Sequence, residues 1–188
     1  MSKIRNSIIA GSALMASAVA FTSYFESGAK GSRLEAYLDQ GGVPTICDGV
    51  TRGVKMGMKV TQEWCDQRLI EEIELHTKPL DRIKYQMPDN ARIAWGDFIL
   101  NLGETKTTGN NSTAWRFLVN GDIHRSCNAF LMWKFTTVNK VKRDCSDPAS
   151  KCGGIWTRRN AQRELCHGKI TVDEFLIRVR GTPVKHGG

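Results

Sequence analysis

The residues whose chemistry is easiest to read in this 188-residue chain are six cysteines: Cys47, Cys65, Cys127, Cys145, Cys152 and Cys166. No CxxC pair occurs and no cysteine stands at zinc-type spacing from a histidine, so neither a metal site nor a cofactor is expected. An even number of cysteines suits disulfides if the chain reaches an oxidising compartment. Six cysteines allow fifteen pairings, and spacing favours one pair, Cys145 with Cys152, which closes a short loop. The histidines His76, His124, His167 and His186 form no constellation. Among Trp64, Trp95, Trp115, Trp133 and Trp156 a ring that stacks on sugar is conceivable, but most such rings belong in a core.

The compartment is written at the start of the chain. Lys3 and Arg5 precede an uncharged stretch from Asn6 to Phe25. Such a helix, about 20 residues at about 1.5 Å each, just spans a bilayer's hydrocarbon layer. It is rich in alanine, glycine, serine and threonine, so insertion is marginal. The positive flank keeps the N-terminus in the cytoplasm and sends the remainder across the inner membrane. Two readings stay open. One is a cleaved signal peptide, for which Ala16-Ser17-Ala18 and Ala18-Val19-Ala20 fit the small-x-small rule. The other is a weak anchor that later leaves the bilayer. Both place the body of the chain outside the cytoplasm.

The net charge of +8 suits an anionic partner such as a membrane surface or an envelope polymer. No nucleic-acid motif is present and the basic residues are spread out, so nucleic acid is not an expected partner. Hydrophobic content of 40% is enough for one domain with a real core.

Along the body, Arg33-Leu34-Glu35-Ala36-Tyr37-Leu38 reads as a short helical turn, Asp39-Gln40-Gly41-Gly42 as a turn, and Val43 to Cys47 as a short strand followed by the turn dipeptide Asp48-Gly49. From Thr61, a capping residue, the pattern becomes helical. Pro88 and Asp89 open a second helix that stops at Gly103. Ser112 caps a third, closed by Asn120-Gly121, and Asp122 caps a fourth that runs through Trp133. A polar insert from Asn139 to Gly154 precedes a helix from Trp156 to His167, and Thr171 to Glu174 is a capping box for a last helix. The layout is α+β and mostly helical.

Several blocks then fall into one order. Arg33-Leu34-x-Ala36-Tyr37-x-Asp39-x-x-Gly42-Val43-x-Thr45-x-Cys47-x-Gly49 resembles the active-site segment of the phage-type lysozymes, glycoside hydrolase family 24. Phe98-x-x-Asn101-x-Gly103, Ser112-Thr113 with Leu118-x-Asn120-Gly121-Asp122, and Trp133 with Arg158-Arg159 and Glu164-x-Cys166 resemble later blocks of that family. The resemblance covers roughly residues 27 to 168. It implies a small β-hairpin lobe and a larger helical lobe, with the helix from Thr61 as connector and the polysaccharide between the lobes. It implies an endolysin, acting alone as a monomer, that cuts the β-1,4 bond between N-acetylmuramic acid and N-acetylglucosamine of bacterial peptidoglycan. It also favours the weak anchor, as in signal-arrest-release endolysins, which pass from the host inner membrane to the periplasm. The expected division is residues 1–26 as signal anchor, 27–180 as lysozyme-like domain and 181–188 as a disordered tail. The family layout adds Cys47 with Cys65 and Cys127 with Cys166 as disulfides.

The family's active-site pattern is Glu, eight residues, Asp, five residues, Thr. Asp39 and Thr45 keep the second interval. With eight residues between it and Asp39, Lys30 stands in place of the acid. A lysine near its ordinary pKa of about 10.4 is a poor proton donor at neutral pH, and beside Asp39 it makes an ion pair. The expected consequence is an impaired enzyme, with a wall-binding or lysis-regulating relative as the alternative. Glu26 and Glu35 are the carboxyl groups that stand near enough in sequence to substitute. Val50 replaces the histidine of many relatives, a matter of cleft detail. Asn101 is a candidate substrate contact, though capping or packing explains it as well. Arg158 and Arg159 are candidates for envelope anions or for an ion pair with Glu164.

Overall fold

The computed structural model describes residues 32–39, 42–47, 49–138 and 140–179. Lys30 and Glu26, the anchor segment 1–26 and the tail 181–188 lie outside the described residues. Among the described residues, no helix is long and apolar enough to cross a membrane.

The small lobe is an antiparallel hairpin of β1 (Arg33–Leu38) and β2 (Pro44–Cys47), paired Arg33 to Cys47, Tyr37 to Thr45 and Leu38 to Pro44. The helical turn expected at Arg33–Leu38 is therefore a strand. The extended form prevails because both strand edges find partners here. On the side away from β2, the Ala36 N–H donates to the Met58 carbonyl at 2.9 Å and the Val60 N–H to the Leu34 carbonyl at 2.9 Å. Ala36, Ile46, Cys47 and Cys65 form a small core under Val50, Val54, Met58, Val60 and Trp64.

The connector, α1 (Gln62–Leu75), is capped by Thr61, whose hydroxyl accepts the Trp64 N–H at 3.2 Å. Its first turn gives Cys65 to the small core, and its later turns give Leu69, Ile70 and Ile73 to the large one. The centre of the large core is α2 (Asp89–Leu102), apolar or buried around most of its circumference and ended by Gly103 at φ 87°. Trp95 meets Phe98 and Phe130 edge-on at 5.4 and 5.2 Å, and Phe98 stacks on Phe130 at 4.3 Å.

Short helices α3 (Glu104–Thr107), α4 (Thr113–Val119) and α5 (Ile123–Ala129) follow, with Ser112 and Asp122 capping α4 and α5 as expected. The fourth predicted helix ends early: from Phe130 to Trp133 the chain tightens to a 3₁₀ turn. Beyond it, β3 (Phe135–Val138) and β4 (Val141–Asp144) form a second hairpin, which the polar reading of this region missed. α6 (Gly153–Cys166) packs on α2, and α7 (Val172–Val179) opens on the Thr171–Glu174 capping box, where the Thr171 N–H donates to the Glu174 carboxylate at 2.8 Å and the Glu174 N–H to the Thr171 hydroxyl at 3.2 Å. The disulfides are Cys47–Cys65, Cys127–Cys166 and Cys145–Cys152, the pairs expected from spacing and family layout.

Candidate active site

The two candidate residues on the first hairpin are held by the backbone of one residue, Val43. Asp39 ends β1, half-buried, and its Oδ1 accepts the Val43 N–H at 2.9 Å. Thr45 sits on β2, 2% exposed, and its hydroxyl donates to the Val43 carbonyl at 2.9 Å. The turn between them is closed by the Asp39 N–H to Val43 carbonyl bond at 3.1 Å and the Gly42 N–H to Asp39 carbonyl bond at 3.0 Å, with Gly42 at φ 76°. The spacing of Asp39 and Thr45 thus places a carboxylate and a hydroxyl on either side of Val43 at the closed end of the hairpin. Tyr37, paired with Thr45 across the ladder, carries the Arg33 guanidinium 4.0 Å from its ring centroid.

Glu35 offers no acid. It is exposed on β1, and its carboxylate lies 3.5 Å from the Lys59 ammonium. Its side chain is open to solvent, with no apolar enclosure.

Asn101 lies at the end of α2 in a different environment. It is 8% exposed, and its Oδ1 accepts from the buried Arg159 guanidinium. Arg159 also donates to the Gln162 side chain and, at 3.2 Å, to the Trp133 carbonyl. Next to it, Arg158 forms a two-point pair with Asp97, with Nε to Oδ2 at 3.0 Å, and Gln162 donates to the same carboxylate. Asn101 therefore belongs, in this structure, to the polar seam between α2 and α6. Of the two expectations for Arg158 and Arg159, envelope anions or an ion pair with Glu164, the second is corrected: Arg158 pairs with Asp97, and Arg159 bonds to Asn101, Gln162 and the Trp133 carbonyl. These arginines point inward at α2, while Glu164, on the outer side of α6, pairs with Arg178. Burial, then the neighbouring Arg158 charge, brings the Arg159 pKa down to about 9.

One cluster escaped the sequence reading. The His124 and His167 rings lie 4.7 Å apart, and the Asn128 side chain bridges them, at 3.4 Å to His124 Nδ1 and 3.0 Å to His167 Nε2. Burial first, then His124, Lys169 and Arg163, push His167 below the ordinary histidine pKa. The signal lay in the cysteines: once Cys127 is joined to Cys166, their neighbours His124 and His167 must meet.

A family model described as phage lysozyme matches residues 27–162. The chain belongs to the phage lysozyme family. It is 39% identical over 138 residues to the SAR-endolysin of Pseudomonas phage phiKMV, covering 73% of this chain and 80% of that one. To the SAR-endolysin of Bacteriophage PS119 it is 28% identical over 173 residues, covering 87% and 93%. Among solved structures it resembles an endolysin from Escherichia coli O157:H7 phage FAHEc1, with TM-score 0.58 and 27% identity over 75% of this chain and 87% of that one. It also resembles a mutant of P22 lysozyme, with TM-score 0.55 and 27% identity over 73% and 89%. As a phage lysozyme the chain is a muramidase-type enzyme, and its architecture is the lysozyme-like α+β fold with a small hairpin and a dominant helical part. The match includes the β1–β2 hairpin, so the Asp39–Val43–Thr45 arrangement falls within the family's own segment.

Proposed function

We propose that this phage lysozyme is an endolysin that hydrolyses the β-1,4 bond between N-acetylmuramic acid and N-acetylglucosamine in peptidoglycan to lyse the host. The observation that carries this reading is the shared residue Val43, whose N–H and carbonyl fix a carboxylate and a hydroxyl at one hairpin end. Glycoside hydrolysis needs a proton for the leaving oxygen and a group that steadies the oxocarbenium-like charge or the attacking water. Asp39 supplies the second function: its carboxylate faces a sugar ring that becomes positive. Thr45, having donated its proton to the Val43 carbonyl, keeps its oxygen lone pairs as acceptors and orients the water.

At the acid position of the family pattern stands Lys30, and an ammonium group is a poor proton donor at neutral pH, so in this proposal the chain cuts slowly as it is. Glu26 is the one carboxyl group in residues 1–31, and in a second reading it gives the proton. Residues 1–26 hold the enzyme weakly in the inner membrane, N-terminus inward, until it leaves for the periplasm; the SAR-endolysin names of the relatives support this.

Loss of turbidity of purified peptidoglycan, followed for the chain, Lys30→Glu and Glu26→Gln, tests the assignment. Clearing by Lys30→Glu at a rate far above the parent places the acid at position 30. Clearing by the parent that Glu26→Gln abolishes transfers the role to Glu26. Binding to the wall with no clearing by any of them overturns the enzyme reading in favour of a wall-binding relative.

A further inference from the structure

The second hairpin does no work for the first. β3 and β4 pair through Phe135–Asp144, Thr136–Arg143, Thr137–Lys142 and Val138–Val141, and no third strand adds to them among the described residues. A lone two-stranded hairpin is marginal in water, yet this one is pinned at its base. The Cys145 N–H donates to the Lys134 carbonyl at 2.9 Å, the Lys134 ammonium sits 2.8 Å from Asp144, and the Cys145–Cys152 disulfide ties the return strand to α6. The Lys134 and Ser146 hydrogen bonds bring the Asp144 pKa down to about 2, so this clasp stays charged across the physiological range.

The surface so presented is unusual for a soluble domain. Met132 just before β3, Phe135 on β3 and Val141 on β4 are 59%, 45% and 58% exposed within ten residues of chain. Large apolar side chains are ordinarily scattered singly on a surface. By the ladder register, Phe135 shares its face with Lys142, whose ammonium lies 4.4 Å from the ring centroid, while Val141 is on the opposite face. Apolar groups on both faces suit end-on entry into a medium better than contact along one side. Lys140, in the turn, holds φ 63°, a conformation that glycine or asparagine adopts more easily. Among the described residues, neither Lys140 nor Lys142 pairs with a carboxylate. Three steps of about 3.3 Å give strands about 10 Å long, the depth to which interfacial segments enter the headgroup region.

We propose that the β3–β4 hairpin is a docking finger for anionic phospholipid bilayers that enters turn first, with Val141 at the headgroup–acyl boundary, Phe135 and Met132 at the level of the headgroups, and Lys140 and Lys142 reaching lipid phosphates along their aliphatic stems. The aliphatic groups favour lipid over a hydrated anionic glycan. The finger acts whether or not the hairpin at Asp39 cuts peptidoglycan.

Co-sedimentation of the full chain with vesicles of phosphatidylglycerol and phosphatidylethanolamine, and with phosphatidylcholine alone, tests this. Because the N-terminal segment also meets lipid, the readout is the difference between variants that all carry it. Lys140→Glu with Lys142→Glu is expected to weaken binding to the anionic vesicles about tenfold or more, as is Phe135→Ser with Val141→Ser. Lys84→Glu with Lys106→Glu, the same charge change at exposed sites elsewhere, should bind as the parent does. Phe135→Trp should bind like the parent and gain quenching by brominated lipid, a readout that a misfolded hairpin would not give. Equal loss in the Lys84/Lys106 control overturns the proposal, as does unchanged binding by both hairpin variants. Loss of binding to purified wall with lipid binding intact assigns the finger to the glycan and overturns it too.

Discussion

At the scale of single residues, Asp39 has two separable duties. Its Oδ1 caps the turn through the Val43 N–H, and in the proposed reaction its negative charge serves the chemistry. Asparagine keeps an acceptor at that place and removes the charge. Asp39→Asn is therefore expected to fold with stability within about 1 kcal/mol of the parent, while the clearing rate of the Lys30→Glu background falls by at least about a hundredfold. Thermal unfolding beside turbidity assays checks both halves; equal activity would reduce Asp39 to a turn cap. The Asp39–Thr45 interval was legible in the sequence because a short hairpin converts spacing directly into geometry. The place of Arg158 and Arg159 was not, since nothing in a local pattern says that Asp97, 61 residues earlier, faces Arg158 across two helices.

Among the elements, helix starts and stops were the most readable features. Thr61, Ser112, Asp122 and Thr171 each satisfy backbone N–H groups locally, so their effect needs no tertiary partner. β1 was not readable, because its extended form depends on Cys47 and Thr45 on one side and Met58 and Val60 on the other. The β3–β4 hairpin hid behind charged residues and an Asn-Lys turn, although Phe-Thr-Thr-Val before it is rich in β-formers. The close approach of α1 and α2 also had no sequence signature beyond a glycine. A Cβ at Gly96 would lie 2.8 Å from the Ile73 carbonyl oxygen and 2.9 Å from the Ile73 and Thr77 methyl groups. Alanine gains about 1 kcal/mol of helix propensity there, but the atom it meets is backbone and cannot swing away. Gly96→Ala should therefore lose about 1–3 kcal/mol in urea unfolding. Gly153→Ala, at the open start of α6 with nothing within 4 Å of the new Cβ, should be neutral or slightly stabilising.

For the whole molecule, the three disulfides tie parts that the core alone joins weakly. Cys47–Cys65 fastens the small lobe to α1, Cys127–Cys166 fastens α5 to α6, and Cys145–Cys152 closes the base of the second hairpin. With separations of 18, 39 and 7 residues, loop-closure entropy assigns them about 3, 4 and 2 kcal/mol. Together that approaches the entire stability of an ordinary domain of about 5–15 kcal/mol. Reduction is expected to unfold much of the chain at 37 °C, read as loss of helical circular dichroism; a melting curve unmoved by reductant would show that the helical core suffices.

The central claim is the identity of the bond that is cut. Purified peptidoglycan should be digested with the chain and with Lys30→Glu, the products reduced with borohydride, and the new chain ends identified by mass spectrometry. The account predicts reduced N-acetylmuramic acid at every new end. Ends carrying reduced N-acetylglucosamine or an anhydro sugar, or no new ends from either protein, would contradict it.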